Sequence, residues 1–400
     1  MYLNPKLDKL VSYPFERLNK LLADISPSER LSHIPLSIGE PKHEPPQIVI
    51  DLLADQTKMK KLLSSYPSTK GSAELRQTIS LWFETRFGTN LNPENEILPV
   101  NGTREALFSF AQSLLSGHSG SRVVMPNPFY QIYEGATLLA GASPYFCSSF
   151  EKDNYQQDFD SIEPAIWKDT ELVYLCSPAN PTGKSLSDQE LEKIITLAHR
   201  HNFLIASDEC YSEIYLDENK QPNSLLAVSE KMGNKAYERC VAFHSLSKRS
   251  NLPGLRSGFV AGDKKLLDQY FLYRTYHGCA MSGLTQEMSA IAWGDEGHVL
   301  KNRELYKEKF SLVENILGDS YPIYRPDGGF YHWIKTPVED QEFSASLMEK
   351  FNVKVMPGSF LSREQNGDNP GANHVRVAWV SSVAECQRAA TRLVEYVGHL

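Results

Sequence analysis

Lys248 sits where an apolar run gives way to reactive side chains. Cys240-Val241-Ala242-Phe243 reads as a buried strand. His244, Ser245, Ser247, Lys248, the Pro253-Gly254 turn and Arg256 follow it. The turn folds the chain back, so Lys248 and Arg256 can face one site. A lysine at the mouth of a buried strand loses its proton cheaply, because desolvation disfavours the ammonium. The neutral amine forms a Schiff base with an aldehyde. Arg256 offers forked donors, and Ser245 and Ser247 add hydroxyls, a set suited to a phosphate. Lys248-Arg249 alone would describe a solvated basic loop. The whole stretch points instead to an aldehyde that carries a phosphate, as pyridoxal 5'-phosphate does.

Four more strand exits carry chemistry. Ile97-Leu98-Pro99-Val100 meets Asn101-Gly102-Thr103-Arg104, where a helix begins. Free N–H groups at a helix start, with the macrodipole, bind phosphate, although any capped helix looks similar. Arg122-Val123-Val124-Met125 runs into Pro126-Asn127-Pro128-Phe129-Tyr130, and an aromatic ring at a strand exit can stack on a flat cofactor or simply pack. Leu172 to Cys176 leads to Ser177-Pro178-Ala179-Asn180-Pro181-Thr182-Gly183; Asn180 can donate to a phenolate or belong to an ordinary turn. Phe203 to Ser207 leads to Asp208 and Tyr211. A buried carboxylate at Asp208 needs a cationic partner, which a protonated pyridine nitrogen would supply; an N-capping aspartate is the plainer alternative. Between these last two strands, Ser187 and Glu190 form a capping box that opens a helix. Strand, helix, strand at this spacing is a parallel crossover unit. Ligands of open α/β sheets bind outside the carboxyl ends of such strands. Gly258 to Gly262 returns after a short turn and is expected to be antiparallel.

Ser-x-Ser-Lys followed by Gly-Leu-Arg-x-Gly, together with Asn180-Pro181-Thr182-Gly183, resembles the fold type I pyridoxal-phosphate aminotransferases of classes I and II. The resemblance covers nearly the whole chain. It implies the aspartate-aminotransferase-like α/β fold, with a mostly parallel central sheet flanked by helices and a smaller α+β domain. It divides the chain into an arm and part of the small domain (1–45), a large cofactor-binding domain (46–282) and a small C-terminal domain (283–400). By resemblance, Lys248, Asp208 and Tyr211 are catalytic. Gly102, Thr103, Arg104, Tyr130, Asn180, Ser245, Ser247 and Arg256 join them in holding the cofactor. Tyr66 reaches across a homodimer to the neighbour's phosphate, though taken alone it would suit packing. Gly39 and Arg376 meet the substrate carboxylate.

Within that family, Ser37 to His43, Val100 to Phe108, Pro126 to Gly135, His244 to Phe259 and Tyr273 to Met281 resemble the succinyldiaminopimelate aminotransferases. The implied reaction moves an amino group from N-succinyl-L,L-2,6-diaminopimelate to 2-oxoglutarate. Other aminotransferase specificities (aspartate, aromatic, acetylornithine) and a cysteine-conjugate β-lyase share the cofactor motifs. Two departures stand out: Ala179 in place of glycine, and Ser282-Gly283-Leu284 in place of a proline-rich run, which leaves the dimer-facing loop's contacts open. For the succinyl carboxylate Lys42 is the favoured reader, with Arg274 and His277 of the neighbouring subunit as the alternatives.

Composition narrows the remaining classes. The chain has 400 residues, 41% hydrophobic and 22% charged, with a formal net charge of −8, which suits a globular protein and argues against nucleic acid as a partner. The first residues lack the apolar run of a secretion signal, and no segment has membrane-spanning length. The six cysteines are scattered without a CxxC pair, so reduced core thiols are expected and a metal site is not. These features together suggest a cytoplasmic enzyme. The short N-terminus has no room for the DNA-binding segment of a cofactor-binding regulator.

Overall fold

The computed structural model describes residues 3–318, 320–321 and 323–399. Its main sheet has seven strands. Across the sheet they run Ile97–Val100, Gly258–Gly262, Cys240–Ser245, Leu204–Asp208, Thr170–Cys176, Arg122–Asn127 and Ser143–Ser148. All are parallel except Gly258–Gly262, which pairs antiparallel with both neighbours, as its short return predicts. Parallel strands covered on both faces should be apolar throughout, and Ile97–Val100, Leu204–Asp208, Cys240–Ser245 and Gly258–Gly262 hold almost only buried residues. Ile79, Trp82, Phe83, Val173 and Phe259 belong to one core cluster, and Leu107, Phe110, Tyr174, Phe243 and Val260 to another.

The helix Ala73–Phe87 shows how sequence becomes packing. Ser72 caps its start, Gly88 ends it in the left-handed region, and Leu75, Ile79, Trp82 and Phe83 form its buried stripe. Trp82 packs tilted against Trp293, ring centres 4.5 Å apart, and edges against Phe259 and His244. Truncating such a ring to alanine costs about 3–5 kcal/mol, so this contact secures the strand that leads to Lys248. Trp293 lies in the helix Gly283–Trp293, which packs on Ala73–Phe87 and contributes Met288, Ala290 and Ala292 to the same core. That helix, which follows the boundary expected at 282, thus shares its core with Ala73–Phe87.

The smaller unit has a three-stranded antiparallel sheet, Met356–Pro357, His374–Ala378 and Tyr331–Lys335. Ile34–Pro35 pairs parallel with Val353–Lys354 beside it. The long helix Gly297–Leu317 packs on Val383–Gly398. The edge strand Ser143–Ser148 and the helices Ile132–Ala140, Leu225–Lys231 and Asp340–Phe351 are elements that the hydrophobic pattern does not announce. No helix among the described residues is long and apolar enough to cross a membrane.

Candidate active site

The sheet register brings the motif residues together. Cys176 lies opposite Asp208, and Asp208 opposite Phe243. The turns bearing Asn180, Asp208 and Lys248 therefore leave one edge side by side. With Thr103, Arg104 and Tyr130 they line a cavity of about 420 Å³. Gly39, Tyr211, Ser245, Ser247, Arg256 and Arg376 complete most of its wall.

Lys248 is half-buried, and its Nζ donates to the Gly39 carbonyl at 2.6 Å. The amine lies 5.3 Å from the Phe330 ring centre and 5.9 Å from that of Tyr211. Burial lowers its pKa to about 8, with Arg376 and Arg256 pushing the same way and Cys210 and Glu40 opposing. A neutral amine is thus accessible near neutral pH.

Asp208 is buried, and burial raises its carboxyl pKa. Tyr133 Oη donates to its Oδ2 at 2.7 Å, and the Cys210 amide donates to Oδ1 at 3.3 Å. Among the described residues no lysine, arginine or histidine pairs with it. A buried carboxylate held by neutral donors is completed by a cation brought in from outside. Behind it, buried Glu209 and His244 pair at 3.1 Å. Asp208 does not cap a helix, because the chain continues in turns.

Arg376 is buried on its strand. Nη1 donates to Asn180 Oδ1 at 2.9 Å and Nη2 to the Ser37 carbonyl at 2.7 Å, while Nε has no partner. Asn180 Nδ2 has no partner among the described residues and can donate. Arg256 gives a hydrogen bond to the Pro253 carbonyl. Gly102 has φ +83°, and a Cβ there would strike the Arg256 guanidinium. Arg256 therefore packs against the backbone at the start of the helix Thr103–Leu114, with Ser245 and Ser247 on the same wall. This is a cradle for a small tetrahedral anion. Arg104 donates to Tyr130 Oη at 2.7 Å and to Tyr13 Oη at 3.0 Å. None of these three arginines has a carboxylate partner among the described residues.

A family model described as aminotransferase class I and II matches residues 32–393. The chain belongs to that family. The family depends on pyridoxal phosphate, and the pocket fits it: an anion cradle at one place, a buried lone carboxylate at another, and a lysine of lowered pKa between aromatic rings. A crystal structure of an aminotransferase from Neisseria meningitidis Z2491 is 45% identical, with a TM-score of 0.94 and coverage of 98% of this chain and 100% of that one. Aminotransferase AspB from Helicobacter pylori 26695 is 33% identical, with a TM-score of 0.90 and the same coverage. An LL-diaminopimelate aminotransferase of Nitratidesulfovibrio vulgaris (strain Miyazaki F) is 28% identical over 393 residues, 97% of each chain.

Lys42, Tyr66 and Arg274 do not line this protomer's pocket, the last two having been expected to act on a neighbour's. Lys42 pairs with Glu40 at 2.7 Å and lines a different cavity, whereas Gly39 and Glu40 line this one. Tyr66 is fully exposed and does not line this protomer's pocket. Arg274 is buried with its Nη1 on both Glu105 oxygens, so its charge is already engaged. The same Glu105 lies within 4.8 Å of His277 and Cys279, but the arginine already occupies it. One residue behind the pocket and one on its wall escaped the sequence reading. Tyr133 grips Asp208, and Tyr331 bonds Tyr211 Oη at 2.9 Å and leaves no room for a Cβ at Gly39. Both act across long sequence separations, and no local pattern marks them. All six cysteines are free.

Proposed function

We propose that the protein transfers an amino group from N-succinyl-L,L-2,6-diaminopimelate to 2-oxoglutarate, releasing glutamate and the corresponding 6-oxo acid. The observation that carries this reading is the set of three acid-free guanidinium groups around one lysine-bearing cavity. Such a set calls for three anions. Arg256 with the Gly102–Thr103 turn takes a phosphate. Arg376 takes the carboxylate of the reacting amino-acid end as a forked pair. Arg104 is left for a carboxylate on the remote arm, of which this donor has two.

When bound, pyridoxal phosphate supplies the electron sink for the reacting carbon. The chain's own groups do the rest. Lys248 Nζ, whose lowered pKa of about 8 keeps the neutral amine accessible, takes the proton from the substrate Cα. Asp208 would offer a buried anion to a protonated ring nitrogen. Asn180 and Tyr211, which line the cavity with Tyr130, would help to hold the cofactor, with donors for its phenolic oxygen and an aromatic face for its ring. Arg376, kept in line by Asn180 and Ser37, orients Cα toward Lys248. A homodimer follows from the same reading: Tyr66 and Tyr276 are almost wholly exposed in the single chain, where a second copy would cover them.

Free LL-diaminopimelate is the second reading, supported by the named relative at 28% identity. It ends in an ammonium and one remote carboxylate instead of an acylated amine with a further carboxylate. The cationic Arg104 beside Tyr13 and Tyr130 favours the acylated arm. A panel of donors with 2-oxoglutarate separates the two. The succinylated donor should give the highest kcat/KM, and Arg104→Gln should lower it about fivefold to thirtyfold. That range takes a charge-assisted contact of about 1.5–3 kcal/mol and reduces it for an exposed side chain. Higher kcat/KM for free LL-diaminopimelate would install the second reading. Release of pyruvate and ammonia from cysteine conjugates would turn the assignment to a lyase.

A further inference from the structure

A second cavity, of about 980 Å³, opens where the two domains meet and shares no lining residue with the first. His43, Asn302, Lys309 and Val380 lie on its wall. These residues form an unbroken chain of hydrogen bonds. Lys309 Nζ contacts His43 Nε2 at 2.7 Å and the Val380 carbonyl at 3.3 Å. His43 Nδ1 contacts Asn302 Oδ1 at 2.8 Å. Asn302 Nδ2 donates to the carbonyls of Lys248 and Arg249, at 3.1 and 3.2 Å.

The proton order in this chain is dictated from both ends. An ammonium only donates, so His43 Nε2 accepts from Lys309. A carbonyl only accepts, so Asn302 presents Nδ2 to Lys248 and Oδ1 to His43. Asn251 Nδ2 donates to the same Oδ1 at 2.9 Å, which requires the same orientation. His43 is therefore a neutral imidazole with its proton on Nδ1. Its lowered pKa agrees, with burial first among the causes and Lys309 adding to it against the Asn302 bond. The Tyr306 ring, 4.5 Å away, holds the imidazole plane. Asn302 and Lys309 are buried, and Lys309 has no carboxylate partner among the described residues.

The segment that carries His43 also touches the pocket at two other points. The Ser37 carbonyl accepts from Arg376, and the Gly39 carbonyl accepts from Lys248 Nζ. Lys248 is thus held by its amine through Gly39 and by its backbone through Asn302, and both holds run into residues 37–43. The far end of the chain is the Val380 carbonyl, just beyond the small-domain strand that bears Arg376.

We infer that His43, Asn302 and Lys309 are positioning residues: a fixed-polarity relay that ties the backbone of Lys248 to the small domain and so sets where its amine stands. None of them lines the first cavity, so the relay acts through Lys248. The inference rests on Lys248 being the reactive amine of the function proposed above. The second cavity makes it testable, because small solutes can reach the place of His43.

The test uses full-length, cofactor-loaded enzyme carrying His43→Ala. Two quantities are read: the KM and kcat of transamination, and the pH midpoint at which the absorbance of the lysine-bound cofactor changes. The expected result is a kcat loss on the order of tenfold to a hundredfold, from a displaced amine, with donor KM held within about twofold. The absorbance midpoint should shift as well. Added imidazole, which has a donor and an acceptor, should restore both. 1-Methylimidazole, which lacks the donor, should restore neither. Unchanged kcat and midpoint overturn the relay, and so does equal recovery with the two solutes, which would mean that His43 only fills space. If His43→Ala does not fold, Lys309→Leu is read by the same two quantities, and an unchanged midpoint there overturns it. The midpoint needs no substrate. A wild-type enzyme that turns over a different donor would therefore correct the proposed reaction without touching this result.

Discussion

Replacing Arg376 separates charge from geometry at the substrate end of the pocket. The guanidinium is buried, spends one N–H on Asn180 and one on Ser37, and has no acidic partner among the described residues. Arg376→Lys keeps the charge but loses the planar fork. It should forfeit one charge-assisted bond, about 1.5–3 kcal/mol, or roughly tenfold to 150-fold in kcat/KM. Arg376→Gln also leaves a substrate carboxylate buried without its counter-charge. Removing one member of such a pair costs about 3–5 kcal/mol, so the loss should reach hundreds- to thousands-fold. The amino acid and the oxo acid present the same carboxylate, so both half-reactions should fall by similar factors. Rapid-mixing measurement of each half-reaction is the assay, with thermal unfolding as the control for structure. A loss confined to one substrate, or one below about threefold in Arg376→Gln, would refute the assignment of Arg376 to the common carboxylate.

Three more outcomes are expected. Asp208→Asn should still bind the cofactor but lose most of the proton-abstraction rate, read as the substrate Cα–H isotope effect and single-turnover rate; near-normal turnover contradicts its role. Lys248 has a lowered folded-state pKa, about 8, so the unfolded chain binds more protons between that value and the ordinary lysine range. Cofactor-free protein should therefore gain stability relative to Lys248→Met as pH rises across this window, by at most about 1.4 kcal/mol per pH unit and less where water screens the amine; urea titrations at several pH values would show a flat difference if the amine is not desolvated. Light scattering should report a dimer, and an active monomer would remove Tyr66 from the neighbour's pocket.

Motifs set by a few adjacent residues were legible in the sequence. The apolar runs ending at Val100, Cys176, Ser207 and Phe243 announce strands, and the reactive groups beyond them must then share one edge. Ser187 with Glu190 marks a helix start, and Gly88 a helix end, because capping is a local bargain between a side chain and the next turn of backbone. Lys248 and Arg256 stood out because a short turn limits where they can point. Tertiary structure alone decided which distant groups complete the site. Tyr133 reaches Asp208 from 75 residues away, and Asn302 reaches the Lys248 carbonyl from 54. Helix Gly283–Trp293 joins the large-domain core because Trp293 finds Trp82 there, a match of shapes that no periodicity encodes. Lys42 follows Gly39 closely in sequence, yet it lines another cavity. Chemical type and short-range backbone geometry are written locally. Partners for a buried charge, and the cavity that a flexible lysine faces, are settled by packing between segments far apart in the chain.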